Sequence, residues 1–101
     1  MYAIAFDLHQ DTLSKTYSTA TYTNAYNDIK KVLNSYNFTR QQGSVYFGDE
    51  KVDPVDCVMA IQELTKLYPW FSATVQDIRM LRIEENNDLR KIIDKELSKN
   101  N

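Results

Sequence analysis

Asp7 and His9 stand two residues apart at the end of the first apolar segment, and His9 is the only histidine in the chain. A histidine beside a carboxylate is the usual pair for moving a proton on and off a hydroxyl. The plainer reading of His9 is a solvent-facing loop residue. Asp7 is harder to set aside. A lone carboxylate beside apolar residues is costly to bury, so it must cap a turn, pair with a base, hold a metal or do chemistry. Arg40, Arg79 and Arg82 fall in strand-like parts of the sequence, and a guanidinium there can grip a phosphate with its planar fork of donors. Their plainer use is surface ion pairing with the fourteen acidic residues. Ser44 and Tyr46 lie between the only two glycines, Gly43 and Gly48. Ser44 can donate to a phosphate or simply shape the turn after Gly43. Tyr46, on an open sheet, can stack on a planar ring or pack at an interface.

These residues need elements to position them. Tyr2, Ile4 and Phe6 alternate with Ala3, Ala5 and Asp7, so large apolar residues line one face and small ones the other. That period predicts a half-buried strand with Asp7 on the alanine face, where the chain leaves the sheet. If the strand continued, His9 would share that face. The following stretch is rich in Thr and Ser without Gly or Pro. A structureless loop of that length is unusual in a compact domain. A short helix over 11–17, capped by Asp11 or Thr12, is expected there, then a mobile stretch.

From Asn24 the pattern is helical: Tyr26, Ile29, Val32, Leu33 and Tyr36 share one face, with Thr23 and Asn24 as N-cap candidates. Gly43 and Gly48 bracket Ser44, Val45, Tyr46 and Phe47, which predicts a tight turn or bulge between two short strands over 38–47. Asp53-Pro54 opens a second helix, with Val55, Val58, Met59, Ile61 and Leu64 on a broad apolar face and Pro69 stopping it. Cys57 within it reads as a small core residue rather than a reactive one. Trp70 and Phe71 anchor the connection to a strand over 78–83. Leu89, Ile92, Ile93 and Leu97 then mark a last amphipathic helix over 88–97. The order is strand, helix, two strands, helix, strand, helix. It predicts an α+β, ferredoxin-like β-α-β-β-α-β fold with an extra C-terminal helix. Helices on one sheet face leave the other open, and its apolar residues then suit a second copy.

Composition narrows the field. A chain of 101 residues supports one good core, so 1–101 is expected to be one domain with 86–101 as helix and tail. One cysteine permits neither an internal disulfide nor a zinc cage. No apolar run approaches the ~20 residues of a membrane span, and the apolar start lacks a basic leader. A reducing cytoplasm suits such a chain. A net charge of −2 argues against broad, non-specific nucleic-acid affinity but leaves room for a local basic strip.

Several segments taken together resemble the virulence-associated protein D family. They are Met1-Tyr2-Ala3-Ile4-Ala5-Phe6-Asp7-Leu8, 22–29, Gln42-Gly43-Ser44-Val45-Tyr46, Trp70-Phe71 through Val75, Asp77-Ile78-Arg79, and Arg82. They keep their order over nearly the whole chain. The resemblance implies a cytoplasmic, toxin-like endoribonuclease, built as a ferredoxin-like homodimer and in some bacteria paired with a small antitoxin. It also implies a distant likeness to the small CRISPR-associated nuclease-like subunit. There a first-strand Asp and a Ser-Val-aromatic strand recur, matched here by Asp7 and 44–47. The matched motifs do not include His9.

The leading expectation is therefore RNA cleavage by a symmetric dimer, with the two copies of Asp7 near the twofold axis and near Ser44. If a hard cation such as Mg2+ is used, Asp7 is the obvious ligand and two chains supply the site. If not, Asp7 acts as base or orients His9, and Arg79 or Arg82 meets the charge on phosphorus. Arg40 and Tyr46 complete the expected RNA-binding set. The runner-up is a non-catalytic nucleic-acid-binding or scaffold subunit in which Asp7 only caps a turn. A small-molecule sensor ranks last, since no Gly-rich ligand loop is present.

Overall fold

The structure, a computed structural model, describes residues 1–16 and 22–99. β1 (Tyr2–Leu8) is followed by α1 (Gln10–Thr16), α2 (Tyr22–Ser35), β2 (Phe38–Gln42) and β3 (Val45–Gly48). Then come α3 (Pro54–Leu67), α4 (Pro69–Thr74), β4 (Val75–Arg82) and α5 (Arg90–Lys99). The strands form one antiparallel sheet in the order β2-β3-β1-β4. β1 and β2 flank β3, and β3 and β4 flank β1, which is the split β-α-β arrangement of the ferredoxin-like fold.

The alternation in β1 does what its spacing demands. Ile4, Phe6 and Leu8 are buried under the helices, together with Leu13 of α1, Ile29 and Leu33 of α2, Leu64 of α3, and Trp70 and Phe71 of α4. Ala3, Ala5 and Asp7 point to the other face, which no helix of this core covers. There Ala3 lies between Phe47 and Leu81, and Ala5 between Val45 and Arg79. Ala3 is almost wholly shielded all the same, being short and flanked by two large neighbours.

Local chemistry sets the boundaries. The β2–β3 hairpin turns at Gly43, whose φ of +39° suits a residue without a Cβ. Gly48 serves a different end: a Cβ there would meet Val52 at 2.9 Å, so the close approach of the loop requires glycine. Asp53 caps α3 by accepting from the Asp56 N–H at 2.9 Å, while Asp56 accepts from the Asp53 N–H at 3.1 Å, a reciprocal capping box.

Four expectations need correction. α2 starts at Tyr22, so Thr23 and Asn24 lie in its first turn rather than at its cap. α1 starts at Gln10, ahead of Asp11 and Thr12, and the mobile stretch expected after it falls on 17–21, outside the described residues. In α3 the buried residues are Cys57, Ala60 and Leu64, while Val55, Val58 and Met59 are exposed; apolar residues stand all around that helix, so periodicity alone did not choose a side. β4 begins at Val75, not 78, directly after α4.

Candidate active site

Asp7 ends the open-face row of β1. Its cross-strand partner on β4 is Asp77, and two pairs further in, on the same face, Ala5 opposes Arg79. Residues directly opposite share a face with Cβ atoms about 5 Å apart, so two carboxylates and a guanidinium crowd one end of the open face. The register shifts between Asp7 and Leu8, because Leu8 pairs with Val75 and Gln76 is left over. Such bulges twist a strand end and re-aim its side chains. Arg79 Nε donates to both oxygens of Asp77, at 3.1 and 3.2 Å, and its Nη2 lies 3.1 Å from Oδ1. Those hydrogen bonds, with the carboxylate's charge, raise the Arg79 pKa, so it remains a cation at any working pH. Asp77 is occupied by Arg79. Asp7 is exposed and takes no hydrogen bond from a described residue.

His9 leaves the sheet: β1 ends at Leu8, and the His9 N–H donates to the Thr74 carbonyl at 2.7 Å. Its ring caps α1. Nδ1 accepts from the Thr12 N–H at 3.2 Å and lies 2.8 Å from Thr12 Oγ1. This is the work that Ser, Thr, Asp or Asn does at most helix starts. It requires a neutral ring with the proton on Nε2. Asp7 therefore has no capping duty here, because His9 performs it.

Ser44 lies at the same end of the sheet, half-buried, with its carbonyl accepting from the Phe6 N–H at 3.1 Å. Asp7, Arg79 and Ser44 are thus brought to one end. The other candidates are not. Arg82 opposes Tyr2, five pairs along β1 from Asp7, or about 17 Å at the rise of a strand. It faces the helix side, with Ile4 and Met80. Arg40 opposes Tyr46 on β2, and its Nε folds back to the Gly43 carbonyl at 2.9 Å. Tyr46 itself is 2% exposed, stacked on Phe6 with ring centroids 6.1 Å apart. Burial raises its phenol pKa, partly offset by the Arg40 charge. The expectation that Tyr46 stands on the open face is corrected: the aromatic there is Phe47, one residue on. Asp77 and Phe47 are what sequence reasoning missed. Asp77 could have been noticed through its i,i+2 spacing from Arg79, which puts both on one face of a strand.

The open-face floor is shallow, since Ala3 and Ala5 leave room for a chain backbone or a second sheet beside the charged cluster. A first-strand Asp at the bulged end of such a sheet is an arrangement that can be compared with known proteins. A family model described as CRISPR associated protein Cas2 matches residues 1–91. The chain belongs to the Cas2 family. Among curated relatives, Endoribonuclease VapD 2 of Riemerella anatipestifer is 52% identical over 89 residues, covering 88% of this chain and 95% of that protein. The Endoribonuclease VapD homolog of Helicobacter pylori is 47% identical over 89 residues, covering 88% and 92%. Endoribonuclease VapD of Haemophilus influenzae is 39% identical over 93 residues, covering 92% and 98%. Within the Cas2 family the chain thus sits with the VapD proteins, as its first-strand and Ser-Val-aromatic segments imply. No helix among the described residues is long and apolar enough to cross a membrane.

Proposed function

We propose that this chain is an endoribonuclease that cleaves RNA phosphodiester bonds as a homodimer, with Asp7 as its central catalytic group. The observation that carries the reading is an exposed carboxylate with no structural task, set beside a fixed arginine cation on a face free of helices. Homologues at up to 52% identity bear the name endoribonuclease, which supports the same activity here. The non-catalytic reading gains no support from a cap by Asp7, since His9 caps α1.

In this reading Asp7 takes the proton from a ribose 2′-hydroxyl, the 2′-oxygen attacks phosphorus, and the P–O5′ bond breaks with the 5′-oxygen protonated by water. Arg79 meets the charge that builds on the phosphoryl oxygens, and Ser44 offers a further donor. His9, neutral in its capping state, can give Nε2–H as a hydrogen bond to phosphate; a neutral imidazole is too weak an acid to protonate the leaving oxygen. A hard cation such as Mg2+ fits this face less well within one copy. Asp77 is held by Arg79, and the described residues contain no cluster of three ligating side chains, so Asp7 of two copies would have to share it.

The dimer would pair the open faces, where Val45, Phe47 and Leu81 stand without helix cover. It would bring both copies of Asp7 toward the twofold axis. A small antitoxin occupying the same face would silence a cytoplasmic toxin-like enzyme of this kind.

Purified protein on end-labelled RNA tests the proposal. Expected products carry a 2′,3′-cyclic phosphate and a 5′-hydroxyl, persist in EDTA, and disappear with Asp7→Asn. Products with 5′-phosphate ends that vanish on chelation would replace the route with metal-activated water. Undiminished cleavage by a folded Asp7→Asn protein would remove the site altogether.

A further inference from the structure

Arg79 has two carboxylates within reach and binds one of them. Asp77 lies two residues along the same strand, about 7 Å away at the rise of a strand. Asp7 lies on the diagonal across the strand pair, since Asp7 opposes Asp77 and Ala5 opposes Arg79. Diagonal neighbours stand about 7–8 Å apart, a span that long side chains cross. The two acids are therefore near-equal rivals for one guanidinium. The contact goes to Asp77: Nε donates to both its oxygens, at 3.1 and 3.2 Å, and Nη2 lies 3.1 Å from Oδ1. Asp7, exposed across from it, takes no hydrogen bond from a described residue.

We propose that Asp77 is a positioning residue whose task is to hold Arg79 off Asp7. Its use in catalysis rests on the nuclease reading; the holding itself does not. Two consequences make the arrangement useful. A carboxylate claimed by a guanidinium is a poorer proton acceptor, because the neighbouring cation favours its charged form. With Arg79 held by Asp77, Asp7 stays free to take a proton while the cation remains beside it. The second consequence concerns the donors of Arg79. Asp77 fills the side edge of the guanidinium, formed by Nε and Nη2. The end edge, formed by Nη1 and Nη2, is left with two parallel N–H groups, the geometry that grips a phosphate at two oxygens. Asp77 thus fixes which edge of Arg79 is open and which acid stays unclaimed. Ion pairs this exposed are weak, so a single substitution suffices to redirect the arginine.

Asp77→Asn in the full-length chain tests this; both partners of the ion pair are more than half exposed, so the fold survives the change. The first measurement needs no RNA. It follows exchange of the Arg79 Nε proton with water by NMR on 15N-labelled protein. Slow exchange is expected in wild type and in Asp7→Asn, where Asp77 holds the arginine. It is expected in Asp77→Asn too, where Asp7 takes the arginine over. In the Asp7→Asn/Asp77→Asn double variant exchange should be about tenfold faster or more. Fast exchange in Asp77→Asn alone overturns the proposal, because Arg79 then does not turn to Asp7. Fast exchange in Asp7→Asn alone overturns it as well, because Asp7 was then already the holder. The second measurement is cleavage. Asp77→Asn should lower kcat by ~30-fold or more, and Asp77→Glu should restore most of it. Added to Arg79→Gln, Asp77→Asn should cost less than about threefold further, because its harm runs through Arg79. Losses that multiply in that pair, or full activity in Asp77→Asn, overturn the proposal. A wild-type protein that cuts no RNA ends the nuclease reading instead, and the exchange rates still decide which acid holds the arginine.

Discussion

The two faces of β1 lie one residue apart in sequence and do opposite work. Phe6 turns into the core, ringed by Tyr46 and Ile78, and is 8% exposed. Asp7 turns out beside Asp77 and Arg79 and is exposed. On the first face every neighbour is apolar and stability is the product. On the second, two carboxylates stand opposite each other and Arg79 holds only Asp77, an arrangement that adds little to folding. The fold thus keeps its packing and its proposed reactive groups on separate sides of a single layer. Either can be altered with small effect on the other.

Breaking that separation should give effects of graded size. Asp7→Asn is expected to lower cleavage by at least ~1,000-fold, about 4 kcal/mol in the barrier, with circular dichroism unchanged; a protein that loses both activity and fold would mark Asp7 as structural. Val45→Glu puts an unpaired charge into the proposed dimer face and should weaken association by about 3 kcal/mol or more. Sedimentation showing wild-type protein already monomeric at micromolar concentration would discard the open-face dimer. Phe6→Ala, on the packed side, should cost about 3 kcal/mol in urea unfolding through the cavity it leaves, while enzyme that remains folded cleaves normally. His9→Ala removes the α1 cap and should cost about 1 kcal/mol. His9→Asn restores the cap, and a rate loss of ~100-fold that persists in it would return the ring to acid–base chemistry. Smallest is Cys57: burial, with Asp56 and Asp53 nearby, raises its thiol pKa, so little thiolate exists at neutral pH. Alkylation should await unfolding and leave activity untouched until then.

The features that depend on near neighbours were legible in the sequence. The alternation of β1 put Asp7 on the alanine side, Asp53-Pro54 marked the start of α3, and Gly43 marked the hairpin. What depends on distant register was not. That Asp77 faces Asp7 follows from the pairing of two strands some seventy residues apart in sequence, which no local pattern carries. Tyr46 and Phe47 are both aromatic, so composition cannot say which turns inward; the phase is set by the pairing of Ile4 with Tyr46. His9 escaped notice as a cap because imidazole seldom does that work. α5 shows the complementary limit: its stripe declares a buried side but names no partner.

The opposition of Asp7 and Asp77 bears on how this protein would respond to selection. Like charges directly across a strand pair weaken the sheet by a few tenths to about 1 kcal/mol, and Arg79 relieves only the half of the pair that it holds. Neutralising Asp7 should therefore make the chain slightly harder to unfold while disabling it. A library screened only for resistance to heat or protease would enrich substitutions at position 7. With the proposed role of Asp7, activity and durability pull against each other at this one carboxylate, and only selection on RNA turnover would keep it.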